Sequence, residues 1–368
     1  MKDKLQYLEI ATLIYFFIRG SFIGIGINCV IFYGKVDSWL SALLGMLMGI
    51  IPVCIYLKLS TIDTKKHIHE IITKVMGNFL GKIISFVLLL FVFAYSTVLF
   101  YDITNFISSE YLYKTPSYII GAMILIPIIY LLTKGLRTIS RVSIILFIVS
   151  IVLYIFSIIG LIPAFDYTNL LPFLENGITN PLIGALGFIS YTAMPLFILL
   201  IIPRDDVAEK KINKKVILTF LGVSCITFLA ITNVVGVLGI DLALLYQYPD
   251  YQMLRRIQVG GFIQRTESIL AIQWLLCLFM MISFCLFYCL KTTTFLFGKK
   301  VEKVKVYLPY IYPIVVLFLS RILWRNNTIF VNFTVKEFPI YTYIFFLGIP
   351  ILILIVYYIR KLKSKLSS

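Results

Sequence analysis

Charge is what this sequence has least of. Only 14% of its 368 residues are Asp, Glu, Lys or Arg, where a soluble protein carries about 25%. So little charge cannot coat a water-facing surface, which excludes a soluble enzyme and a disordered chain alike. Histidine is scarcer still, with His67 and His69 the only two. Two positions apart in one polar stretch, they face different sides of a helix and read as a solvated loop, not a metal site. The six cysteines (29, 54, 225, 277, 285 and 289) all lie in apolar runs, and none forms a CxxC pair. No zinc-like spacing is present, so neither a metal nor another cofactor is expected. Nor do the apolar runs contain a Ser/His/Asp, His/Glu or paired-carboxylate constellation, so an enzyme is not expected.

What the sequence has in place of charge is apolar length, at 60% hydrophobic residues. A helix needs about 20 apolar residues to cross a bilayer. Ten candidate spans run approximately 8–32, 38–57, 83–107, 117–133, 141–162, 182–202, 215–240, 267–290, 306–324 and 338–359. No Gly/Ser-rich linker divides them. The expected architecture is an all-α polytopic membrane protein, with residues 1–368 as one membrane domain. The first span does not read as a cleaved signal peptide.

The cations then fall into a pattern. Of 33 Lys and Arg, 24 lie in the two terminal segments and the loops after spans two, four, six and eight, eight lie on the other side, and Arg19 lies within span one. Cytoplasmic loops carry excess Lys and Arg, so both termini are expected in the cytoplasm. The net charge of +16 therefore records orientation and contact with membrane lipid, and makes no case for nucleic acid.

Corresponding spans of the two halves carry matching interruptions. Span one places Gly20, Gly24 and Gly26 at mid-membrane depth, with Ser21 among them. Span six carries Gly184, Gly187, a Ser190-Tyr191-Thr192 triplet and Pro195. One reading is close helix packing through Gly20 and Gly24 as GxxxG. The other is unwound backbone, which is tolerated at that depth only where protein buries it or water reaches it. Two half-helix ends would suit a zwitterion, with N–H groups meeting a carboxylate and carbonyls meeting an ammonium. The expected ligand site comprises Gly20, Ser21, Gly24 and Gly26, with Phe188, Ser190, Tyr191 and Thr192, and Thr97 and Tyr101 from span three. Arg19 is too costly to face lipid. It either pairs with Asp102, Glu9 or Glu267, or acts as a lever beside the ligand. The segment 241–266 mixes apolar residues with Arg255, Arg256 and Arg265 and reads as an external amphipathic loop.

Ile23-Gly24-Ile25-Gly26-Ile27 resembles the first-helix break of amino acid–polyamine–organocation permeases, and 188–193 is similar to their sixth-helix break. A closer likeness lies in Tyr248-Pro249-Asp250-Tyr251-Gln252-Met253-Leu254-Arg255-Arg256-Ile257 and Val259-Gly260-Gly261-Phe262-Ile263-Gln264-Arg265-Thr266-Glu267. Together with Gly135-Leu136-Arg137, Arg141, Asn169 to Pro172 and Pro203, these resemble the B subunit of spore germinant receptors. The resemblance implies five-plus-five inverted repeats (1–162 and 180–360) with helices one and six interrupted. It also implies a place in the spore inner membrane, an amino-acid-like germinant, and partners of the A and C type. A proton- or sodium-coupled amino acid permease is the alternative.

Overall fold

A lipid-facing helix must satisfy its own backbone, so the long apolar runs fold as helices. In this computed structural model the described residues are 4–175, 177–209, 211–256 and 267–366. Ten helical spans follow one another. Span one is built of Tyr7–Ser21, Phe22–Gly26 and Ile27–Gly34, and span two of Ser38–Met48 and Ile50–Ser60. Spans three to five are Asn78–Glu110, Ser117–Lys134 and Leu136–Leu161. Span six joins Thr179–Thr192 to a 3₁₀ stretch, Met194–Ile201. Spans seven to nine are Ile212–Leu245, Glu267–Phe297 and Leu308–Leu323, and span ten covers 327–366.

The packing repeats when span numbers advance by five. Span two lies on seven, three on eight and four on nine. The contact of one with five is answered by six with ten, two with six by seven with one, and three with nine by eight with four. Five is odd, so the second set crosses in the opposite sense to the first. This is the five-plus-five inverted arrangement.

Three expectations need correction. Span ten starts at Asn327, not near 338, because the π-helical stretch Phe333–Glu337 carries the helix through Lys336 and Glu337. Span six remains α-helical through 188–192 and changes to 3₁₀ only at Met194. The polar triplet does not unwind it, and Pro195 sets the change of winding.

His69 is not solvated either. His67 starts the short helix Ile68–Met76, and His69 is fully buried. Its Nε2 lies 2.8 Å from Thr292 Oγ1 of span eight, and its ring stacks on Phe295. Burial pushes its imidazole well below the usual value.

The 241–266 segment divides. Helix Pro249–Leu254 tucks inward, with Asp250, Tyr251, Met253 and Leu254 buried. Residues 257–266, including Arg265, lie outside the described residues.

Candidate functional site at the break in span one

Span one is interrupted at two residues. Ile23 is extended (φ −59°, ψ 132°) and Gly24 has φ 81°. A Cβ on Gly24 would stand 2.2 Å from Cζ2 of Trp274 in span eight. Only glycine combines that dihedral with that closeness. The freed Gly24 N–H donates to Asp250 Oδ2 at 3.3 Å, so the tucked helix Pro249–Leu254 supplies the acceptor that the broken span lacks. The other Asp250 oxygen accepts the Tyr251 N–H at 3.0 Å. Burial pushes the Asp250 carboxyl up to about 6, against these backbone hydrogen bonds and the nearby Arg19 charge, which hold it down.

Ser21 joins the interruptions of spans one and six. Its hydroxyl lies 2.6 Å from its own span's Phe17 carbonyl and 2.5 Å from the Tyr191 carbonyl. In a continuous α-helix Tyr191 would accept from residue 195, but Pro195 has no N–H. The Tyr191 hydroxyl reaches on to the Thr334 carbonyl in span ten. Gly26 packs on the same tyrosine, and the Phe22 and Phe188 rings meet at 5.3 Å.

The other expected site residues are buried nearby with their hydroxyls turned inward on their own helices. Thr97 donates to Ala94, Ser190 to Gly187 and Thr192 to Phe188. Gly20 is helical and lies against the Cys277 carbonyl of span eight, which is the packing role of GxxxG. Tyr101 lies beneath the Arg321 guanidinium, 5.2 Å from its ring centroid.

Arg19 makes no ion pair among the described residues, contrary to the pairings expected for it. Glu9 instead accepts from Ser140 Oγ at 2.7 Å and lies 3.7 Å from Arg137. Glu267 begins span eight beside Tyr251. Arg19 rests 5.2 Å over the Tyr154 ring, within electrostatic range of Asp250, and its Nε and Nη1 have no hydrogen-bond acceptor. Asp102 is its opposite: fully buried, with both carboxyl oxygens lacking a donor. It lies in electrostatic range of Asp250, Tyr191 and Tyr248. Trp274 Nε1 is likewise buried without a hydrogen-bond partner among the described residues. A buried polar group left unmatched costs about 1–3 kcal/mol. Arg19, Asp102 and Trp274 lie around the break, while others, such as Ser85, Ser224 and Trp324, are unmatched elsewhere.

A cavity of about 30 Å³ lies between Arg19, Ile23, Tyr154, Asn233, Asp250 and Gln273. A water needs roughly 10–15 Å³ on this measure, so the cavity has room for one or two. Hydrogen bonds tie the elements together on both sides of the break. On one side Asn105 and Gln247 side-chain amides donate to Tyr248 Oη at 3.0 Å, and both also donate to Asn327 Oδ1. Asn327 in turn donates to Gln247 Oε1, and Asn28 to the Gln247 carbonyl. This amide clasp joins spans one, three and ten to the segment after span seven. On the other side Leu5 exchanges backbone hydrogen bonds with Asp206 and Ala208, 2.7 and 2.8 Å long.

Sequence reasoning missed Asp250, Trp274 and the clasp. Asp250 and Tyr248 stood inside the most distinctive family-like segment, which was the one available signal.

These features define an integral membrane protein with ten helical spans among its described residues, the first broken beside buried, unmatched polar groups. The chain belongs to the family described as "Spore germination protein", whose model matches residues 4–328. It is 24% identical over 336 residues to spore germination protein KB of Bacillus subtilis (strain 168), covering 90% of this chain and 89% of that one. It is 26% identical to spore germination protein YndE of the same organism, over 66% of this chain and 67% of that one. Spore germination protein XB of Bacillus anthracis is 23% identical, over 68% and 70%. Among solved structures, a manganese transporter from Eremococcus coleocola aligns at TM-score 0.48 and 14% identity, over 92% of this chain and 76% of that one.

Proposed function

We propose that this protein is the nutrient-sensing B-type subunit of a germinant receptor, and that it binds a small zwitterion such as an amino acid at the break in span one. The observation that carries the reading is that a buried carboxyl and a buried guanidinium are both left unmatched around Asp250 and the Gly24 break. Asp102 offers two acceptors for an ammonium, and Arg19 offers donors for a carboxylate. A ligand carrying both charges would match them in a dry interior, where each is worth far more than in water. Gly20, Ser21, Gly24 and Gly26 supply the span-one wall, Phe188, Ser190, Tyr191 and Thr192 the span-six wall, and Thr97 and Tyr101 face them from span three. The cavity beside the break has room for waters only, so binding requires the spans to move. A ligand that favours the moved form shifts the population toward it, and that shift is the signal passed to A- and C-type subunits. In this reading the protein sits in the spore inner membrane with both termini on the core side.

Purified full-length protein, screened by thermal shift against the common amino acids, tests the reading. A ligand present at about 100 times its Kd should add roughly 2.7 kcal/mol of stability. Flat responses across all zwitterions would reject it. A coupled permease would use the same pocket, and uncoupler-sensitive accumulation of the ligand in proteoliposomes would favour that reading instead.

A further inference from the structure

The lysine-rich face carries a second concavity, remote from the broken span. It opens where span four ends, span eight ends and span nine begins, and its volume is about 600 Å³. Thr133, Lys291, Thr294 and Lys305 line it beside apolar Phe287 and Leu308. The adjoining turn 298–307 adds Lys299, Lys300 and Lys303 against the single acid Glu302. Below the concavity, span nine exposes Tyr310, Ile314 and Phe318, four residues apart on one side of the helix. Val315 and Ile322 widen the strip. The site is thus cationic at its mouth and apolar along a lane that runs toward the bilayer centre.

We propose that this concavity binds an anionic phospholipid, the phosphate between Lys291 and Lys305 and one acyl chain along span nine. Lysine ammonium groups make charge-assisted hydrogen bonds to phosphate oxygens, whereas the two threonine hydroxyls already donate to the Tyr130 and Leu290 carbonyls of their own helices. The lane decides between a lipid and a soluble phosphate. A free anion would use the lysines and leave the apolar strip unfilled, whereas a phospholipid matches both at the depth where its headgroup lies. The volume suits a headgroup with its first methylenes.

The test uses the full-length protein in nanodiscs. Phosphatidylglycerol and phosphatidylcholine are offered in equal amounts, and retained lipid is counted by native mass spectrometry. The wild type should retain phosphatidylglycerol about ten-fold over phosphatidylcholine, as two lysine contacts allow. Lys291→Gln with Lys305→Gln should reduce that preference to near parity. Lys361→Gln with Lys363→Gln, an equal loss of charge on span ten, should leave it unchanged. Competition by millimolar inorganic phosphate as effective as that by phosphatidylglycerol would assign the site to a soluble anion and overturn the proposal. So would an unchanged preference in the first variant. If that variant does not insert stably, a photoactivatable phosphatidylglycerol on the wild type decides the matter: adducts within 287–318 support the site, and adducts only elsewhere reject it.

Discussion

The Ser21 hydroxyl stands 2.5 Å from the Tyr191 carbonyl, the one backbone acceptor in span six whose normal donor position is taken by Pro195. A defect in one broken span is thereby repaired by a side chain of the other. The two interruptions are mechanically one unit.

Ser21→Ala removes that repair. It should lower stability by about 1–3 kcal/mol, the cost of stranding a buried carbonyl. Adding Pro195→Ala restores an N–H at position 195 and should recover part of the loss. Unfolding curves of the two single variants and the double give the coupling energy. A strictly additive double variant would refute the link.

Two glycines share φ 81° but differ in surroundings. Gly24 abuts Trp274, whereas a Cβ on Gly135 would meet nothing within 4 Å. Gly135, at φ 81° and ψ −172°, lies in a region open essentially to glycine alone, so Gly135→Ala should cost only backbone strain, about 1–3 kcal/mol. Gly24→Ala should cost more and abolish the ligand response, because the indole must also move. Comparable losses in the two variants would show that the Trp274 contact is unimportant.

Asp102→Asn tests the ligand assignment apart from folding. Breaking a buried ion pair costs about 3–5 kcal/mol. Asp102 has no partner to lose, so the variant should stay within about 1 kcal/mol of wild-type stability. Its ligand-induced thermal shift should vanish. A fully retained shift would remove Asp102 from the site, and severe destabilisation would make it structural.

His69 gives a pH dependence of definite sign. Its imidazole is held neutral in the fold, well below the ordinary value, while the unfolded chain takes up a proton near 6.5. Stability present above that value is lost as pH falls below it, at about 1.4 kcal/mol per unit. Unfolding midpoints at pH 7, 6 and 5 should decline in the wild type and decline less in His69→Gln. Parallel declines would place the sensitivity elsewhere.

The spans were legible because a bilayer accepts only long self-satisfied helices, and hydropathy reports them one by one. The break at Gly24 was legible for a similar local reason: three glycines in seven residues have few uses at that depth. What stayed hidden was set by distant partners. Nothing near His69 foretells Thr292, and nothing near Asp250 foretells the Gly24 N–H. Span ten was read eleven residues short because Lys336 and Glu337 resemble a loop, and π-helical winding has no hydropathy signature. Arg19 was rightly placed inside span one, but its surroundings come from spans five and eight and the tucked helix, which a linear reading cannot bring together.

The clasp of Asn28, Asn105, Gln247, Tyr248 and Asn327 holds five side chains that are neutral throughout the physiological pH range. Ion-pair latches weaken as ionic strength rises; amide-to-amide bonds have no such dependence. This closure therefore keeps its strength when the surrounding solution turns briny, acidic or dilute.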